Sequence, residues 1–353
     1  MSRKFNDEID PAEVKGRALL DRAFSEMRNG DDTGAIADYT AVIELPKAAP
    51  EDVALALINR GGLKAQGGDY QATINDTTEV INLAGAPPHL IAFAFKNRGS
   101  SQAALGDLKE AVVDFTATMQ APGVTIETVA EAYIERAKAK NALHDLKGAI
   151  ADYSEVVTMS GVPTHALARA LYGRGQLKDP QDVAMDSPDK SYQAIIDRTL
   201  ADNRDAAIAD YTAVIELEGA PLEESTRARL FRGLARRKKD EAHGAEEDFS
   251  AIIDLPDGPA HLAAMALKFR AGLKINRSDT AGALSDYSAI IQLPGALPHS
   301  IAEAYYLRGL LKGRKNDRAG AITDLQSAIA RPGAPGRLVA AAERALEKLK
   351  AEC

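Results

Sequence analysis

The chain contains no tryptophan and a single cysteine, and aromatic residues make up only 5% of its 353 positions. The lone thiol, Cys353, stands at the end of the sequence, which rules out an intramolecular disulfide framework and a cysteine-based zinc site. No run of about 18 apolar residues occurs, so no transmembrane helix is expected, and the opening MSRKFNDEID lacks the apolar stretch of a signal peptide. The expectation is a soluble cytoplasmic protein, unless an export segment has been trimmed from the chain. Basic residues number 43 against 51 acidic ones, a formal charge of −8, which argues against a protein built to coat nucleic acid or an anionic membrane. There is no phosphate-binding glycine loop, no glycine-rich strand-to-helix turn and no His-Glu-x-x-His. Serine, histidine and aspartate form no constellation outside the pattern described next. No catalytic residue, metal ligand or cofactor is therefore assigned, and the chain reads as a non-enzyme.

What the sequence does have is repetition. An Asp followed by Tyr or a near variant falls at Asp38, Asp76, Asp114, Asp152, Asp210, Asp248, Asp286 and Asp324, with steps of 38 residues except for one of 58. Arginine precedes that Asp by 16 residues at Arg22, Arg60, Arg98, Arg136, Arg232, Arg270 and Arg308, and Arg174 precedes Asp210 by 36. Four residues before each Arg stands an alanine: Ala18, Ala56, Ala94, Ala132, Ala170, Ala228, Ala266 and Ala304. Three positions filled in all eight units indicate eight repeats of 38 residues, the fifth interrupted by 20.

Within a repeat, Pro50 to Gln66 and Asp69 to Leu83 each carry apolar residues at helical spacing. The pair Gly67 and Gly68 stops the first, and AGAPP stops the second. Each repeat thus predicts a helix A, a tight turn, a helix B and a Pro/Gly connector. No stretch alternates with the period of a strand, so the chain is expected to be all-α. Glycine or alanine follows every repeat Arg, and alanine stands three before the Asp in every repeat but the second, which has Thr73. Small residues at these places let helix axes approach closely, and hairpins that bury one another's faces stack as a solenoid.

The pattern of repeat one, A-x-x-x-R-A followed by RNGDDTGAIADYTAVIELP, resembles the tetratricopeptide repeat (TPR). The small residue after Arg, the Gly-Asp at the turn, the Ala-Ile, the aromatic after Asp and the terminal Pro fall at TPR positions. The unit departs from the usual length of about 34 residues, the extra residues lying in the connector after helix B. The resemblance implies a right-handed α-solenoid, a superhelix of stacked antiparallel helix hairpins. It implies the following organisation: an N-terminal segment 1–10, eight repeats over 11–334 with an insertion at about 179–202, and a C-terminal capping helix over 335–353. The cap reads as a ninth helix A with Leu346 at the Arg position, so the Arg is missing where its Asp is missing.

An Arg and an Asp present in every unit are expected to pair helix A with helix B inside the repeat rather than to act on a ligand. The cations four residues after the Arg (Lys64, Lys140, Lys178, Arg236, Lys274 and Lys312) are expected to face the helix C-terminal dipole. His89, His165, His261 and His299 all stand nine residues before the repeat Arg. Equivalent positions of stacked repeats lie about 10 Å apart, too far for shared metal ligation. His144 and His243 fall at turns.

In the TPR family the concave groove is lined by helix A, at positions equivalent here to five, two and one before the Arg and two and five after it. The resemblance therefore implies a partner-binding set that contains Asn59 and Asn97, then Arg227, Leu230, Phe231, Leu234 and Arg237, then Met265, Lys268 and Phe269, then Tyr306, Leu307 and Leu310. Apolar and aromatic residues edged by cations suit a protein or peptide partner. The implied function is that of an interaction scaffold or adaptor, with Arg227, Arg237 and Lys268 orienting an acidic-apolar segment. The insertion offers Ser187 as an N-cap before Pro188 and an apolar stripe of Tyr192, Ile195, Ile196 and Leu200. This 187–201 helix is expected to pack back on the solenoid or to dock a partner or a second subunit, the latter giving self-association. Two other readings stay open. A 38-residue period also occurs in a helical-repeat RNA-binding family, the octotricopeptide proteins, although its Pro- and Trp-bearing signature is missing here. An α/α-barrel hydrolase would need carboxylates outside the repeat pattern to converge in a pocket.

Overall fold

Pro50, Pro88 and Pro298 each start a helix at its first position, and an Asp side chain caps the second helix of most hairpins. These local signals divide the chain where the repeat count places its breaks. The computed structural model describes residues 11–179 and 203–351. Among them every regular element is a helix, and none is long and apolar enough to cross a membrane. The chain divides into two compact units, Met1–Ala170 and Leu171–Cys353.

The first unit contains α1 (Pro11–Arg28), α2 (Asp32–Ile43), α3 (Pro50–Gln66), α4 (Tyr70–Asn82), α5 (Pro88–Leu105), α6 (Leu108–Gln120), α7 (Ile126–Ala142) and α8 (Leu146–Thr158). The division falls within α9 (Thr164–Lys178). The second unit continues with α10 (Arg204–Glu216), α11 (Leu222–Lys238), α12 (Ala242–Ile253), α13 (Ala260–Asn276), α14 (Thr280–Gln292), α15 (Pro298–Arg314), α16 (Arg318–Ala330) and α17 (Gly336–Ala351). Odd-numbered helices up to α15 are helices A; even-numbered ones are helices B. Each unit is an all-α stack of helix hairpins, as the periodicity predicts. The 187–201 helix, and with it the self-association expectation, lies outside the described residues.

The turn between the helices of a hairpin needs one residue in the left-handed region. Glycine supplies it at Gly30, Gly68 and Gly106, whereas His144, Asp240, Ser278 and Asn316 adopt φ of 60–65° at the same place. The following Asp caps helix B: Asp69, for example, accepts from the Ala72 N–H at 3.0 Å, and Asp279 accepts from the Gly282 N–H at 2.8 Å.

The core is a column of small residues and single aromatics. Ala56, Ala94, Ala132, Ala228, Ala266 and Ala304 are at most 1% exposed, while Ala18, with no described helix upstream of it, is exposed. The alanines of helix B are equally buried, and the exception explains itself: the Thr73 hydroxyl donates to the Gly61 carbonyl at 2.8 Å. The residue after each repeat Asp fills the hairpin, with Tyr39, Phe115, Tyr211 and Phe249 at most 1% exposed. Glycine after the Arg makes room for that ring: a Cβ on Gly233 would stand 2.7 Å from Phe249 Cε1.

Candidate partner-binding face

The eight Asp carboxylates are 2–6% exposed, and a buried carboxylate persists only when paired. Every one is bound by its own repeat's Arg. Arg22 holds Asp38 through Nε and Nη2. In the other seven repeats the Nη2 to Oδ1 distance is 2.6–2.8 Å, with Nε making the second bond of a bidentate pair. The intra-repeat pairing read from the 16-residue spacing is therefore present.

The cations four residues after the Arg require a correction. They do more than face a helix end: Lys64, Lys140, Lys178, Arg236, Lys274 and Lys312 each reach the same Asp at 2.8–3.0 Å. Six carboxylates are thus clamped between two cations. At Asp324, burial alone would raise the carboxyl, yet hydrogen bonds from Arg308 and Lys312, reinforced by their charges, hold it below the ordinary carboxylate value.

A third contact escaped the sequence reading. The remaining guanidinium nitrogen donates to a hydroxyl on helix B of the preceding repeat, two residues after its Asp. Arg60 bonds Thr40, Arg98 bonds Thr78, Arg136 bonds Thr116, Arg232 bonds Thr212, Arg270 bonds Ser250 and Arg308 bonds Ser288, all at 2.8–3.1 Å. Thr40, Thr116, Thr212 and Ser288 in turn donate to the carbonyl four residues back at 2.7 Å, so each hydroxyl both donates and accepts. The signal was present: Ser or Thr stands there in seven repeats, and Gln326 replaces it in the last, ahead of the helix that has Leu346 for Arg.

This lattice uses one side of helix A and leaves the face named above. In the second unit Phe231, Met265 and Phe269 are half-buried against the core cluster of Leu230, Leu234, Phe249 and Leu262. Leu230 and Leu234 are 0% and 2% exposed; they support the face from beneath and are not surface that a partner can touch. Phe231 makes an edge contact with Tyr172, ring centroids 5.5 Å apart, and Phe269 stacks on Phe249 at 5.9 Å. Burial pushes the Tyr172 hydroxyl up to about 12, so it remains protonated at neutral pH. Tyr306, Leu307 and Leu310 are half-buried on α15.

The charges on this face are mostly satisfied internally. Lys268 pairs with Glu303 at 3.1 Å, and Arg227 with Glu223 one turn earlier. Arg237 has no carboxylate partner among the described residues; its guanidinium lies over Phe269, 5.2 Å from the ring centroid, with Lys268 also over that ring at 5.4 Å. The first unit presents a more polar face. Lys96 bonds Glu131 at 2.6 Å and Arg169 bonds Glu135 at 2.9 Å, both linking one repeat to the next. Asn59 donates one amide N–H to its own helix at Leu55 O, 2.7 Å away, which leaves its second N–H and its carbonyl oxygen for a ligand; Asn97 is half-buried nearby on α5.

No family model matches the chain, and no curated protein matches it. Among solved structures it is similar to a tetratricopeptide repeat protein from Parabacteroides merdae, at 17% identity and a TM-score of 0.43, over 96% of this chain and 99% of that one. It is also similar to MamA, at 17% identity and 0.42, over 59% of this chain and 97% of that one. A third is YrrB, described as a TPR protein with an unusual peptide-binding site, at 17% identity and 0.40, over 61% and 91%. By the signature repeated along its sequence and the helix hairpins that the signature builds, the chain is an all-α helical-repeat protein whose unit resembles the TPR.

Proposed function

We propose that the chain is a protein-interaction scaffold whose second unit holds an apolar segment of a partner against the helix A face. The observation that carries this reading is the run of Phe231, Met265, Phe269, Tyr306, Leu307 and Leu310, apolar side chains only half-buried on successive helices A. Rigid aromatic residues seated on a packed core are the common anchors of protein interfaces. Arg237 is the cation free to meet an acidic group of the partner, since Arg227 and Lys268 already hold Glu223 and Glu303. An acidic residue of the partner would exchange for those carboxylates rather than meet bare charge, so charge here selects a partner more than it adds affinity.

The test is capture of partners from the source cell by the intact chain and by a variant with Phe231, Phe269 and Tyr306 replaced by Ala. Each aromatic anchor is worth about 2 kcal/mol or more, so the triple variant is expected to lose the captured partner. If every captured protein is retained at equal yield, the face is not the binding surface. Arg237→Glu is expected to weaken capture more at low salt than at high salt.

A further inference from the structure

We propose that Glu127, Glu131 and His165, all in the first unit, form a binding site for a divalent transition-metal cation of the zinc type, separate from the partner-binding reading above. Glu127 and Glu131 lie one turn apart on α7, and His165 lies in the first turn of α9. Each offers one ligand atom, and the three atoms lie within 4.8 Å of one another. His165 Nε2 stands 3.6 Å from Glu127 Oε1. Ligands bound to a tetrahedral ion by bonds of about 2.0–2.1 Å sit about 3.3 Å apart, so small side-chain rotations complete the set. The spacing of about 10 Å between stacked helices separates one repeat histidine from the next. Here the other two donors are carboxylates on helix A of the preceding repeat.

The donor set selects the class of ion. One imidazole nitrogen with two carboxylates suits zinc and its first-row neighbours, whereas magnesium and calcium favour oxygen ligands throughout. His165 and Glu127 are 43% and 53% exposed, so water can fill the remaining coordination positions. Lys96 is the cation that competes, at 2.6 Å from Glu131 Oε2. It occupies one oxygen of Glu131, and with neutral imidazole the cluster of two carboxylates and one ammonium keeps a net negative charge. Arg169, one turn beyond His165, is engaged by Glu135 at 2.9 Å.

The second unit supplies an independent comparison. Glu223 and His261 occupy the same repeat positions as Glu127 and His165, with Nε2 and Oε1 3.9 Å apart. There the counterpart of Glu131 is Arg227, whose guanidinium bonds Glu223. The chain thus places its own cation against this Glu-His pair in one unit and a second carboxylate in the other.

Calorimetric titration of the full chain with Zn²⁺ near neutral pH, in a buffer that does not bind metal, tests the proposal. One equivalent is expected to bind in the micromolar range, with His165→Ala and Glu131→Gln each weakening it about tenfold or more and the helical circular dichroism unchanged. Glu131→Arg, which copies the second unit, is expected to abolish binding. Arg227→Glu is expected to raise the stoichiometry from one to two. Absence of binding up to about 100 μM Zn²⁺, or an unchanged titration in His165→Ala, overturns the proposal. An Arg227→Glu chain that still binds a single equivalent overturns the comparison on which it rests.

Discussion

At the residue scale, the positions that tolerate least are the small ones. Gly233 sits under Phe249, and an added methyl would lie 2.7 Å from Cε1 and 3.2 Å from the Asp248 Cβ. Gly272 lies on helix A of the next repeat with nothing within 4 Å of where its Cβ would be. The two glycines therefore predict opposite signs for one chemical change. Gly233→Ala is expected to destabilise by about 1–3 kcal/mol through overpacking, and Gly272→Ala to stabilise by about 0.5–1 kcal/mol through helix propensity. Denaturant midpoints of the two variants check this, and a stabilised Gly233→Ala would show that the ring has room to move. The sequence showed that a small residue follows each Arg. It did not show how near a ring comes, because glycine and alanine share this position, as at Gly233 and Ala271, and sequence spacing carries no interhelical distance.

At the scale of the element, the hairpin is held by a carboxylate with more than one cation. Asp286 accepts from Arg270 at 2.8 Å and from Lys274 at 2.9 Å, so Asp286→Ala strands two positive charges in a nearly dry seam. The expected loss is about 3 kcal/mol, read as a lower melting temperature. Removing Arg270 and Asp286 together, each to Leu, is expected to be milder, and replacing Lys274 with Met as well milder still. Equal losses in all three chains would mean that the charges are not coupled. The 16-residue spacing made the Arg–Asp partnership legible, because a fixed offset in every repeat leaves few geometries open. The hydroxyl contact was not legible in the same way. It joins residues 20 apart on different repeats, and helical periodicity carries no information about how far one hairpin rotates on the next. The same gap separates Leu230 and Leu234 from the groove that the TPR resemblance implies: position on a helix face fixes direction, whereas burial depends on the neighbour.

For the whole molecule, the ion pair of the last repeat makes stability depend on pH in a predictable direction. The Asp324 carboxyl is held below its ordinary value in the folded chain, so the folded state binds fewer protons there than the unfolded one at moderately acid pH. This contribution is complete above the unfolded value of about 3.9 and is lost as pH falls through the lower folded value. Acid unfolding is therefore expected to steepen below about pH 4, and Asp324→Asn to flatten that part of the curve while lowering stability at neutral pH. An unaltered acid limb in the variant would assign the dependence to other groups.

The guanidinium-to-hydroxyl bonds give the stack a sense of direction. Six arginines look back to a hydroxyl on the repeat made before them, and four of those hydroxyls are already anchored to their own helix. A ribosome delivers the chain from the same end. In those repeats a newly emerged helix A therefore finds its acceptor in place on a finished hairpin, and the series ends where Gln326 replaces the hydroxyl and Leu346 the arginine.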